Sequence, residues 1–131
     1  MKVTYLIVAG IGLSLLADAA FAHHSFSMFD RDKSVTLTGT VKEYEWTNPH
    51  VWIHLMVPDE KGAVREWGFE MQAIAQDSAG GWRADSVKPG DKVSIEFHPL
   101  KDGTRGGQLV SAILSNGQHL GGPVRRPGAQ D

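Results

Sequence analysis

Between Ser34 and Trp46 the chain alternates. Val35, Leu37 and Val41 are separated by Thr36, Thr38 and Thr40, the two-residue period of a strand with one buried face. Gly39 falls in the apolar row, where glycine marks a bend or a close backbone approach. Glu43, Tyr44, Glu45 and Trp46 then break the phase, which predicts a bulge near Lys42. Thr47-Asn48-Pro49 reads as a turn. From His50 to Val57 the alternation is cleaner, with Val51, Ile53, Leu55 and Val57 in one row and His50, Trp52, His54 and Met56 in the other. Pro58 to Gly62 is a hairpin connection. A third strand, Val64 to Met71, sets Trp67, Phe69 and Met71 on one face and Glu66, Gly68 and Glu70 on the other.

The period then changes. Gln72 to Gly80 predicts a short helix with a weak Ile74-Ala75 stripe, stopped by Gly80-Gly81. Trp82 to Val87 is a connector, and Lys88-Pro89-Gly90-Asp91 a tight turn. Lys92 to His98 is a fourth strand with Val93, Ile95 and Phe97 inward, and Gln108 to Ser115 a fifth. Asp102-Gly103 and Gly106-Gly107 frame a flexible turn between them. Asn116-Gly117 is a hairpin turn leading to a short return that ends at Leu120. Three strands, a short helix and two strands give an all-β fold with one short helix. The order predicts a small five-stranded, partly open barrel of the oligonucleotide/oligosaccharide-binding type over residues 34–120, with a β-sandwich as the alternative. Residues 121–131 hold glycine, proline and arginine with almost nothing apolar, the composition of a disordered tail.

The N-terminus adds a compartment. Lys2 is followed by a largely apolar run of 14 residues, Val3 to Leu16, and then by Ala20-Phe21-Ala22. This is the layout of a cleavable export signal over residues 1–22, cut after Ala22. The run is short for a membrane span, which needs roughly 20 apolar residues, so no membrane attachment is expected after cleavage. The expected location is periplasmic or secreted. Cleavage leaves 109 of the 131 residues, enough for one core. There is no cysteine, so neither a lipid-anchored form nor disulfides can serve, and the fold rests on apolar packing. The formal charge of −2, with mixed signs and no long run of either, carries no footprint for nucleic acid.

Six histidines supply the candidate chemistry: His23, His24, His50, His54, His98 and His119. Imidazole suits copper, zinc and nickel. After the cut, His23 would carry both a free α-amine and a ring nitrogen, which together can chelate one ion. His24, His50 or His98 would complete a tetragonal set for copper. The competing reading keeps His23 and His24 solvated in a polar leader, residues 23–33, of which at least one of Phe26, Met28 and Phe29 docks on the domain. His50 begins a strand after Asn48-Pro49, where it is either a ligand at the barrel mouth or a cap on the turn's backbone. His54 lies about 13 Å further along the strand, too far to share an ion with His50, and is expected to pack between Trp52 and Met56. Trp46, Asn48 and Trp52 bracket the same turn and form a candidate ligand or partner surface, against the plainer reading of core and rim packing. Asp30-Arg31-Asp32-Lys33-Ser34 opens like a calcium loop but has no central glycine, and Val41 stands where the loop needs Glu. Glu66, Glu70 and Glu96 face outward, and nothing in their spacing brings them together for acid–base work.

The strings His23-His24-Ser25-Phe26, Phe29-Asp30, Thr38-Gly39-Thr40-Val41, Trp46-Thr47-Asn48-Pro49-His50 and His98-Pro99-Leu100 resemble a family of small exported bacterial proteins catalogued as a domain of unknown function. The resemblance spans nearly all of the mature domain. It implies an exported single domain and carries no activity, cofactor or catalytic residue. The residues therefore point to a non-enzymatic exported barrel that binds a transition metal, copper first, through His23. An accessory module that meets a periplasmic partner is the alternative, and a copper redox enzyme the third.

Overall fold

A computed structural model of the protein describes residues 27–122. Six strands and one helix follow the expected order: β1 (Val35–Glu45), β2 (Trp52–Pro58), β3 (Val64–Glu70), α1 (Ile74–Ala79), β4 (Lys92–Pro99), β5 (Gly106–Leu114) and β6 (His119–Gly121). β1 pairs antiparallel with both β2 and β4, β2 with β3, and β4 with β5, while a parallel pairing of β3 with β5 joins the two ends. The result is a closed five-stranded barrel, with β6 added outside along β5. The sandwich alternative does not occur.

Alternation explains which face turns inward. Val51, Ile53 and Leu55 of the second apolar row are fully buried, as are Phe69 of β3 and Ile95 of β4. Phe97 lies 4.8 Å from Phe69 between ring centres, and 6.0 Å from Trp67 edge-on. Such pairs add about 0.5–1.5 kcal/mol each beyond the area they bury. Trp82, in the connector after α1, is buried and stacks obliquely on Tyr44. The register of β1 on β2 slips between Val41 and Glu43, so the bulge sits at Lys42, where the break in alternation places it.

Closure is tighter than the expected partly open barrel, and glycine is the reason. Gly106 and Gly107 do not form a flexible turn. They are the first residues of β5, facing Gly68 and Phe69 across the parallel ladder. A Cβ on Gly106 would stand 2.6 Å from the Gly68 carbonyl oxygen, so the strands meet only because that carbon is absent. Gly39 has the matching part in β1, where a Cβ would come within 2.8 Å of the Met56 carbonyl oxygen.

Both flanks of the barrel are tied down. Phe29 is buried and bridges to Leu100, with Asp30 N–H donating to Pro99 (2.8 Å) and Lys101 N–H to Met28 (2.9 Å). The leader thus runs along the end of β4. At the other flank Leu120 is buried, and the Gly121 N–H reaches the Gly80 carbonyl while the Gly122 N–H reaches Val110. The paired backbone runs past Leu120 to Gly122. Residues 1–26 and 123–131, which include the stretch expected to be an export signal, most of the candidate tail and both leading histidines, lie outside the described residues.

Candidate functional site

Three groups of polar side chains stand on the barrel wall. The first is where the leader crosses β4. His98, near the end of β4, places Nδ1 2.7 Å from the Lys33 carbonyl oxygen. A carbonyl only accepts, so Nδ1 carries a proton, and in the neutral ring Nε2 is the nitrogen with the lone pair. That arrangement, a backbone acceptor fixing the far nitrogen, is how metal-binding imidazoles are oriented. Arg31 reaches over the same strand end to the buried side chain of Gln108, 3.4 Å away.

The second group forms where the β1–β2 turn meets α1. His50 Nδ1 lies 3.0 Å from the Met71 carbonyl oxygen and 2.9 Å from Glu70 Oε1. Both partners accept, so one N–H is shared between them and the ring spans turn and sheet. Asn48 Oδ1 accepts the Ile74 N–H at 3.0 Å. A turn residue thus caps α1 from 26 positions away, filling one of the orphan donors of the first helical turn. Asp77 accepts the Gln72 N–H on Oδ1 at 3.4 Å, while its buried Oδ2 has no partner among the described residues. Burial pushes the Asp77 carboxyl up to about 6, against the pull of the Gln72 N–H and of His50. Burial raises Glu70 as well, and His50 opposes it. Replacing Asn48 with alanine should cost about 1 kcal/mol, read as a lower denaturation midpoint. Faster amide exchange at Ile74 would accompany it, with β4 and β5 unaffected. An unchanged midpoint would mean that water replaces the cap without cost.

The third group is the outer face of β2. Trp52 and His54 stack with ring centres 6.1 Å apart, and both rings lie against Gly68. His54 does not simply sit between Trp52 and Met56. Its ring lies between two carboxylates, Nε2 3.3 Å from Glu45 and Nδ1 3.4 Å from Glu66. Lys42 closes the row with a 2.6 Å contact to Glu66, and holds that carboxyl below its usual range.

The three histidines have different partners: His50 faces Glu70, His54 faces Glu45 and Glu66, and His98 faces the leader. Among the described residues no three His, Asp or Glu side chains are grouped to hold a metal. Trp46 and Trp52 part company as well. Trp46 packs on the core beside Tyr44, and Trp52 stands on the opposite face of the sheet, level with Glu45 and Glu70.

Glu70 and Asp77 are the site residues that sequence motifs do not single out. A signal for Glu70 exists in the hairpin. A turn centred on Lys61 pairs Pro58 with Val64 and, counting outward, Trp52 with Glu70 and Val51 with Met71. That count alone brings Glu70 beside His50. Asp77 has no such signal, because its position depends on how α1 lies against the barrel.

Compared with known proteins, the chain matches the sequence profile of a family of unknown function, DUF6152, over residues 12–110. No curated protein matches it. Among solved structures, a crystal structure of the mitochondrial single-stranded DNA binding protein Rim1 of S. cerevisiae aligns with a TM-score of 0.46. Its sequence identity is 12%, covering 63% of this chain and 94% of that one. No helix among the described residues is long and apolar enough to cross a membrane.

Proposed function

Because the chain belongs to DUF6152, a family of unknown function, its role has to be read from its own residues, and we propose an exported binding protein that takes a transition metal, copper first, at its mature N-terminus. The observation that carries this reading is the docked leader. Phe29 and the backbone bonds around Pro99 and Lys101 fix the chain beside His98, whose ring is held so that Nε2 keeps a lone pair for a metal. The chain from His23 to Met28 is short, with a reach of at most about 17 Å. Cleavage after Ala22 would free the His23 amine, and amine plus imidazole make a chelate of the kind Cu(II) favours. His98 is the described residue best suited to add a third nitrogen, with His24 as the neighbouring donor. His50 is a further helper, its Nδ1–H likewise held by acceptors, the Glu70 carboxylate and the Met71 carbonyl.

The test is a Cu(II) titration of residues 23–131 with an authentic His23 start, followed by electron spin resonance. Nitrogen coordination and a Kd well below micromolar are expected, with at least a tenfold loss in His23→Ala and a smaller loss in His98→Ala. Acetylation of the His23 amine should abolish tight binding, because it removes that nitrogen from the chelate. Binding no tighter than about micromolar (about −8 kcal/mol) would end the metal reading.

A second reading, an accessory module that meets a periplasmic partner, is supported by Trp52. It is the aromatic residue of the bracketed turn that remains half-exposed on the outer face, near the carboxylates around His54. Trp46 and Asn48 add little to it, since one packs on the core and the other caps α1. The near-neutral charge still argues against a polyanion as that partner.

A further inference from the structure

The barrel has an unfilled mouth. Where β2 ends and β3 begins, away from α1, lies a cavity of about 420 Å³. That is within the range of small-molecule pockets, and barrel mouths are a common place for them. Its wall is apolar: Leu37 and Val57 line it, and Trp67, held against Phe69 and Phe97, gives it a flat aromatic side. Its rim is charged, and the charges are not equivalent. Asp59 is spent on the hairpin, with Oδ1 accepting the Lys61 and Ala63 N–H groups at 2.9 Å and Oδ2 lying 3.4 Å from Arg65. Arg65 is thereby neutralised.

Arg105 is different. Its backbone is fixed, because its carbonyl accepts the Gly68 N–H and the next residue opens β5. Its guanidinium makes no ion pair or hydrogen bond among the described residues. A guanidinium mounted on fixed backbone beside an apolar, aromatic wall is the arrangement that takes a carboxylate or sulfonate attached to a hydrophobic body. Glu60, also on the rim, opposes such a ligand and limits its affinity.

We propose that this mouth binds a small amphipathic organic anion, with its apolar part against Leu37, Val57 and Trp67 and its anionic head on Arg105. The site is independent of the N-terminal metal site, so either can fail without the other.

Two dyes with the same ring system test it on the mature protein. 1-Anilinonaphthalene-8-sulfonate carries the anion, and N-phenyl-1-naphthylamine lacks it. The sulfonate should bind saturably, one per chain, and shift NMR signals of Leu37, Val57 and the Trp67 indole. Arg105→Gln should weaken it at least tenfold while leaving the neutral dye nearly unchanged, and Glu60→Gln should tighten it. Equal binding of the sulfonate to the parent and to Arg105→Gln would overturn the proposal. So would NMR shifts confined to other surfaces. Binding that emerges only when residues 23–26 are removed would also overturn it, by showing that the chain's own N-terminus takes the mouth.

Discussion

Replacing Gly107 with alanine is expected to unlock the barrel. The new Cβ would overlap the His98 carbonyl oxygen and the Phe97 ring, two groups that cannot move independently. The carbonyl belongs to the β4–β5 ladder, and the ring is pinned between Phe69 and Trp67. Overpacking usually costs about 1–3 kcal/mol. Here the clash includes backbone, so a loss of at least about 3 kcal/mol is expected, a large share of the roughly 5–15 kcal/mol that holds a small domain together. Urea denaturation should show a much lower midpoint. Amide exchange should locate the damage at the parallel pairs Gly68–Gly106 and Glu70–Gln108. A midpoint within experimental error of the parent protein would show that β5 can shift to accept the methyl group, and closure would then not depend on glycine at this position.

The second large effect is a contribution of Asp77 to stability that falls as pH rises. Asp77 has a folded-state pKa of about 6 against 3.8 unfolded. Below 3.8 both states hold the proton and the group contributes nothing. Between the two values the folded state binds more protons than the unfolded, so stability declines with rising pH, and above about 6 the full cost of the buried charge is present. A difference of roughly two pKa units corresponds to about 3 kcal/mol at most. Glu70, raised in the same direction, adds to the slope. Asp77→Asn keeps an oxygen for the Gln72 N–H and removes the titration. Its denaturation midpoint should therefore exceed that of the parent at pH 7, by a margin that shrinks toward pH 4. If the two proteins show parallel pH profiles, Asp77 is already hydrated or paired when folded, and its buried Oδ2 is not a reservoir of instability.

Local pattern is readable in this sequence, and long-range contact is not. Each strand follows from a two-residue period, and the Lys42 bulge from the interruption of that period, because both depend on neighbours in sequence. The parallel β3–β5 pairing joins residues nearly 40 positions apart, and Gly106-Gly107 resembles a turn as closely as it resembles a strand that must approach another backbone. The surroundings of His54 are hidden for a related reason. The bulge shifts the register so that Glu43 pairs with His54 and Glu45 with Trp52, and it is Glu45, diagonal to His54, that meets the imidazole, from a strand whose alignment cannot be read from β2 alone. Phe29 shows the opposite case: three apolar side chains in a polar leader require an anchor, and one of them is buried.

Closure also governs how this protein behaves beside copies of itself. An open sheet offers unpaired N–H and C=O groups along its margins, where another chain can add and fibrils can begin. Here β3 and β5 occupy each other over the seam that would otherwise stay open. Two of the short margins that remain among the described residues are the three-residue β6 and a second stretch, from Val64 to Trp67, where β3 runs beyond the end of β5. That second stretch carries Arg65 and Glu66, both already held by neighbours, and charged side chains on a margin discourage strand addition. The two glycines that let the barrel shut therefore also limit its self-association. A variant that opens that seam should lose solubility at concentrations the parent tolerates.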